Sequence, residues 1–228
     1  MAAELWVAHL GRIPYREGVA LQERLRDRRQ AGEIPDALLL LEHPPVYTKG
    51  RRTEPGDLPM GEDWYRLQGI EVEGADRGGR VTYHGPGQLV GYPIVEVRDV
   101  PAYVHAMERA ICEALAAEDV PGRTIEGETG VWTGDPPAKI GSIGVHVSRG
   151  VTTHGFAINV DNDLQPFEWI VPCGLAGVRM TSLCKEKGSA GGLPCFRRRM
   201  AYAFAEALGR RQRLVSLERL ALPEPVAA

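Results

Sequence analysis

Lysine is nearly missing from this 228-residue chain: of 27 basic residues only Lys49, Lys139, Lys185 and Lys187 are lysine, and arginine supplies the rest. Arginine keeps its proton under all ordinary conditions and lysine does not, so each retained lysine is a place to look for proton chemistry. Long apolar runs are missing too. A run such as Ala37 to Leu41 is far too short to cross a bilayer, and MAAELWVAHLG at the N-terminus has no basic region ahead of a long apolar segment. The expectation is a cytoplasmic protein that does not act at a membrane. The four cysteines, Cys112, Cys173, Cys184 and Cys195, have no framework spacing and no CxxC pair, which excludes a disulfide scaffold and a structural zinc site. Six scattered histidines without ligand spacing leave no metal expected, and there is no P-loop, internal repeat or low-complexity block. A formal charge of −3, with 43% apolar and 25% charged residues, describes a soluble globular chain rather than a nucleic-acid binder.

What the chain has in excess is glycine, and most pointedly in RGGRVTYHGPGQLVGYPI, Arg77 to Ile94. Gly78, Gly79, Gly85, Gly87 and Gly91 surround Arg77, Tyr83 and His84, a density that lets main chain lie directly against a ligand. The plainer alternative is a Gly-Pro turn between two strands. Apolar residues resume at Leu89 and Val90 and read as a strand entering a core.

In chain order, Leu5 to Leu10 reads as a strand and Tyr15 to about Gly32 as a helix; Ala37 to Glu42, bounded by proline on both sides, is a central buried strand. A polar loop with Arg51 and Arg52 follows, long enough to suggest function or mobility. Asp99 can cap a helix presenting Val104, Met107, Ile111, Ala114 and Leu115, with Cys112 beside that face as a small buried hydrophobe. Gly130 to Trp132 and Lys139 to Val160 have the period of antiparallel strands, with a hairpin turn at Arg149-Gly150. Gly141, Gly144 and Gly155 interrupt them, which implies close approach by something other than neighbouring side chains. Phe196, Met200, Phe204 and Leu208 recur at helical spacing, and the last dozen residues read as a loosely held tail.

Cys173 stands between Pro172 and Gly174 at the end of an apolar run, the way an exposed nucleophile is mounted; an inert half-buried cysteine is the alternative. A free thiol is only a few per cent thiolate at neutral pH and needs a nearby cation or base to attack. Lys139, opening KIGSIG, can be that cation or a solvated strand-end lysine. His84 and His154, each next to glycine, are general bases or hydrogen-bonding walls of a pocket; His43 and His146 have weaker claims. The arginines at 197, 198, 199, 210, 211 and 213 form a solvated face or a dock for an acidic protein.

Taken in order, RGGRVTYHGPGQLVGYPI, KIGSIGVHVSRGVTTHGFAINV and IVPCGL resemble the signature of the octanoyltransferases of lipoate synthesis, also called lipoate-protein ligase B, over roughly Leu38 to Leu183. The resemblance implies the α+β fold of biotin and lipoate ligases, with mixed, largely antiparallel sheets and flanking helices. It implies one catalytic domain over residues 1–214 and a short C-terminal extension at 215–228. It implies transfer of an octanoyl group from octanoyl-acyl carrier protein to the target lysine of lipoyl domains, those of 2-oxoacid dehydrogenase E2 subunits and the glycine cleavage H protein, without a cofactor. A thioester would form on Cys173, and Lys139 would lower the pKa of that thiol. Arg77, Gly78, Gly79, Arg80, Val81, Thr82, Tyr83 and His84, then Ser142, Ile143 and Gly144, then Gly155, Phe156 and Ala157, match the segments that line the acyl pocket; His154 is expected beside them. Gly141 departs from the alanine that many relatives carry, which bears on pocket width. An ATP-dependent lipoate or biotin ligase, an amidotransferase between lipoyl domains, and a noncatalytic acyl- or lipoyl-domain-binding module are the alternatives.

Overall fold

The apolar and alternating stretches assemble into one large sheet. The computed structural model describes residues 3–174, 177–190 and 192–221. The large sheet contains β1 (Glu4–Arg12), β2 (Asp36–Glu42), β6 (Gln88–Ile94), β7 (Arg123–Ile125), β8 (Glu128–Thr133), β9 (Ala138–Ser148), β10 (Val151–Asn159) and β11 (Arg211–Leu214). Their order is β11-β1-β2-β6-β10-β9-β8-β7, parallel at the β11-β1-β2 edge and antiparallel beyond it. A second sheet, β4-β3-β5, is built from β3 (Val46–Lys49), β4 (Glu71–Gly74) and β5 (Val81–His84). The architecture is therefore α+β with mixed, largely antiparallel sheets. No helix of the described residues is long and apolar enough to cross a membrane.

Strand alternation divides the core in two. Leu38, Leu40, Phe156 and Ile158 face α3 (Val100–Ala116) and α6 (Leu193–Ala207), while Leu39, Leu41, Val90 and Ala157 face α1 (Tyr15–Gln30). Asp99 caps α3, accepting a hydrogen bond from the Ala102 N–H at 3.0 Å. Arg149-Gly150 turns β9 into β10 with both residues at positive φ, 47° and 80°. At the C-terminal end, Leu217–Ala221 forms a short helix, α7, and buries Leu220 in the α1-side cluster, so this part of the expected tail is held; residues 222–228 lie outside the described residues. The arginine-rich segment is largely paired within the fold: Arg199 with Glu118 at 2.7 Å, Arg210 with Asp36 at 3.0 Å, and both Arg211 and Arg213 with Glu4.

The turn reading of the glycine-rich stretch holds in a modified form. Gly85-Pro86-Gly87 is a turn, but the strands it joins, β5 and β6, belong to different sheets, and it hands the chain from the small sheet to the large one. Several of its glycines serve neighbouring side chains rather than a ligand. A Cβ on Gly91 would stand 2.1 Å from the Phe156 ring. On β10, a Cβ on Gly155 would stand 2.3 Å from the Gly91 carbonyl oxygen, so here main chain is the close neighbour. Gly141 is different: its Cβ would meet Val131 and Ile111 at ordinary contact distances on the α3 side, away from any pocket. Gly155→Ala is expected to destabilise the protein by about 1–3 kcal/mol or more, read from the midpoint of chemical denaturation.

Two histidines are carried, neutral, into the space between the sheets. His43 Nδ1 donates to the Ile13 carbonyl at 2.8 Å, which leaves Nε2 to accept the Tyr92 hydroxyl at 2.7 Å. His84 Nδ1 lies 2.7 Å from Gln88 Oε1, while Gln88 Nε2 donates to the Tyr83 carbonyl and to Asn159 Oδ1, both at 3.0 Å. Burial pulls His43 from 6.5 to about 4, against the pull of the Ile13 bond. Burial, with His43 as a neighbour, pulls His84 to about 3. Both pKa values are lower folded than unfolded, so the stabilisation is fully present above about pH 6.5 and declines as the unfolded chain takes up protons that the folded one refuses. Denaturant midpoints should fall steadily from pH 7 to pH 4.5, by several kcal/mol in total, and His43→Gln should remove part of that fall. Midpoints independent of pH in both proteins would contradict the assignment.

Candidate active site

Arg77 organises the site from beneath. Its Nη2 donates to both the carbonyl and the hydroxyl oxygen of Thr48, each at 2.7 Å, and its Nη1 to the carbonyls of Gly78 and Arg80 at 3.0 and 2.9 Å. No carboxylate pairs with it among the described residues, and it is buried. Burial pulls its pKa down, opposed by the ionised forms of nearby Tyr15, Cys173 and Tyr92. The loop it braces is also tied to β9, through the Gly78 N–H to the Val145 carbonyl at 3.0 Å.

Between the two sheets this leaves a cavity of about 350 Å³. Its wall takes in Arg77, Gly78, Gly79, Arg80, Thr82 and His84, then Ser142, Ile143 and Gly144, then His154, Gly155, Phe156 and Ala157. Lys139 and Cys173 line the same cavity, though they lie 34 positions apart in sequence. Two residues of the expected set do not line it. Strand alternation in β5 sends Val81 and Tyr83 to the opposite side, where they pack with Tyr47, Tyr65, Phe167 and Ile170. Several wall residues were not anticipated. Val90, Tyr92 and Val145 lie inside the quoted motifs but read as ordinary strand; Tyr15, Arg52, Val104 and the segment 127–129 reach the wall only through long-range packing.

Cys173 sits in a single 3-10 turn, Pro172–Gly174, with φ 57° and ψ 14°. For a residue with a Cβ this left-handed conformation costs on the order of 1–3 kcal/mol, held here by the surrounding contacts. Gly174 has no room for a side chain, because a Cβ would stand 2.4 Å from Arg80 Cδ, and Arg80 is itself fixed by Asp57 at 2.9 and 2.5 Å. The Cys173 Sγ lies 4.0 Å from Ser142 Oγ.

Lys139 is 2% exposed, so the solvated strand-end reading is overturned. Its Nζ donates to the Thr129 carbonyl at 3.0 Å and lies 4.5 Å from the Trp132 ring centroid. The N–H of that same Thr129–Gly130 peptide donates to the buried Glu108 carboxylate at 3.0 Å. One peptide plane is thus held between a carboxylate and an ammonium group. Gly130, at φ 129°, is the residue that permits it, since a Cβ would stand 2.5 Å from the Gly141 carbonyl oxygen and 2.9 Å from Lys139 Cε.

His154 closes another part of the wall, with Nε2 2.6 Å from Asp76 Oδ1. That hydrogen bond is the chief reason the Asp76 carboxyl titrates near 2. His146 stands behind, 3.5 Å from the other Asp76 oxygen and bonded to Arg51.

A family model described as the lipoyl protein ligase A/B catalytic domain matches residues 14–205. The octanoyltransferase of Thermobifida fusca is 47% identical over 183 residues, covering 76% of this chain and 75% of that protein. The octanoyltransferase of Mycobacterium bovis is 45% identical over 206 residues, covering 89% and 86%. Among solved structures, an archaeal bipartite lipoate protein ligase from Thermoplasma acidophilum superposes with a TM-score of 0.74 over 96% of this chain and 91% of that one, at 17% identity. The biotin protein ligase of Aquifex aeolicus gives 0.55 over 90% and 70%, at 15% identity. The fold is thus shared with ligases, while the sequence keeps company with transferases; the chain belongs to the lipoyl protein ligase A/B catalytic domain family and is an acyltransferase of its octanoyltransferase branch.

Proposed function

We propose that the chain transfers an octanoyl group from octanoyl-acyl carrier protein to the target lysine of lipoyl domains in the cytoplasm, through a thioester on Cys173. The observation that carries this reading is a strained cysteine and a buried lysine on the wall of one cavity. In the first half-reaction the Cys173 thiolate attacks the donor carbonyl carbon, an S–C bond forms, and the carrier thiolate leaves and takes up a proton. In the second, a lysine amine attacks the same carbon, a C–N bond forms, the Cys173 thiolate departs, and the amine gives up a proton. Exchange between thioesters is close to isoenergetic and amide formation is downhill, so no nucleotide is needed.

Lys139 supports the thiolate as a cation across the cavity and, when neutral, accepts a proton in the second step. Arg77 adds a second positive charge near the thiol, one that never dissociates. His84, held neutral with its Nδ1 proton on Gln88, is a wall rather than a base. The catalytic unit is residues 1–214, and the acceptors are lipoyl domains of 2-oxoacid dehydrogenase E2 subunits and the glycine cleavage H protein. An adenylating ligase has no use for the Cys173 thiol, which is the feature that separates the two readings on a shared scaffold.

Incubation with octanoyl-acyl carrier protein should add one octanoyl mass at Cys173, removable by hydroxylamine. Cys173→Ala should lose the adduct and about 10³-fold or more of the transfer rate, and Lys139→Ala should slow transfer by about 10²–10⁴-fold. Transfer that requires ATP and free octanoate, and survives Cys173→Ala, would establish the ligase chemistry instead.

A further inference from the structure

The cavity wall is unlike from place to place: Arg52, Gly127 and Thr129 are exposed, whereas Tyr15, His84, Tyr92 and His154 are buried and form its closed, buried end. Two strands give the spacing between Cys173 and the buried end independently. On β9, Ser142 stands beside the thiol, and Val145, paired with His154, is three residues farther on. Along the chain into β5, Arg80 lies against Gly174 and His84 is four residues beyond. At about 3.3 Å per residue these put the histidine end roughly 10 Å or more from the sulfur. An extended eight-carbon chain with bonds of about 1.5 Å reaches on the order of 10 Å.

His154 is the thin part of this end wall. Its ring has the cavity on one side and the half-exposed Asp76 carboxylate on the other. Alternation along β10 would send residue 154 toward α3 with Phe156 and Ile158. Its left-handed φ of 57° turns it instead to meet Tyr92, a residue of the opposite face, edge-on with centroids 6.2 Å apart. Two contacts hold it there: Asp76 on the ring, and Gln22 Oε1 accepting from its backbone N–H at 2.6 Å. Tyr92 is anchored in turn by its hydroxyl on His43. A wall hydrogen-bonded on its outer side resists being pushed back by a longer chain, as an aliphatic wall would not.

We propose that His154, latched by Asp76, is the length stop of the acyl cavity, and that breaking the latch opens a rear exit for longer chains. The inference rests on the reading of Cys173 as the acyl carrier. Octanoyl- and dodecanoyl-acyl carrier protein are mixed in equal amounts, and the adducts on Cys173 are counted by intact mass. The wild type should favour octanoyl by about 10²-fold or more. His154→Gly, which a backbone at positive φ accepts without strain, and Asp76→Ala should each raise the dodecanoyl-to-octanoyl ratio by about tenfold or more. Asp76→Asn keeps an oxygen for the imidazole N–H and should stay close to the wild-type ratio. An unselective wild type, or ratios unmoved in both His154→Gly and Asp76→Ala, overturns the length stop while leaving the thioester intact. No adduct from either donor removes the acyl-carrier reading itself, and the stop with it.

Discussion

A buried guanidinium with no carboxylate partner among the described residues ties this molecule's two sheets together. Arg77 reaches Thr48 on the small sheet with one nitrogen and its own loop with the other, and that loop bonds to Val145 on the large sheet. Neighbouring segments are fitted to it closely. A Cβ on Gly50 would stand 2.5 Å from the Gly79 carbonyl oxygen and 2.7 Å from Arg77 Nη1, and the N–H groups of Arg51 and Arg52 donate to the carbonyls of Arg77 and Gly79. Burying a cation with only neutral acceptors is costly, and the cost is tolerated when the surrounding hydrogen bonds are complete. The return is a fixed positive charge beside a cavity that water does not fully screen, where an anionic sulfur or a developing oxyanion is stabilised more than in solvent.

Lys139 follows the same design by a different route. Its ammonium faces a carbonyl and an aromatic ring, and the carboxylate that balances it, Glu108, acts through a peptide plane rather than by contact. A neutral carbonyl, not a carboxylate, thus receives its hydrogen bond and fixes its position. Two basic side chains thus border the cavity, each held by backbone carbonyls rather than by a carboxylate in contact among the described residues.

Much of this was legible from local pattern. The central strand at Ala37 to Glu42, the Asp99 cap and the Arg149-Gly150 hairpin each depend on residues close in sequence, and they fall where period and turn chemistry place them. The three glycine-rich motifs also converge on one cavity. What failed was direction and distance. Val81 and Tyr83 belong to a lining segment but alternate away from it, and glycines taken to face a ligand, Gly91 above all, face an aromatic ring. The Asp76–His154 contact joins residues 78 apart, and four arginines of the C-terminal segment, Arg199, Arg210, Arg211 and Arg213, pair with Glu4, Asp36 and Glu118 from distant parts of the chain. Pairings of that range are set by topology, which no window of sequence encodes.

Backbone strain points to the same cavity without reference to any motif. Among the described residues, four other than glycine have positive φ: Asp119, Arg149, His154 and Cys173. Asp119 follows the end of α3 and Arg149 is the hairpin turn, places where a left-handed residue is ordinary. The other two, His154 within β10 and Cys173 in the 3-10 turn Pro172–Gly174, both line the cavity. In each case the unusual φ re-aims a side chain, the thiol beside Ser142 and the imidazole toward Tyr92. A relaxed backbone at either position would point the group elsewhere, so the local backbone, and not rotamer choice alone, sets where each side chain meets the cavity.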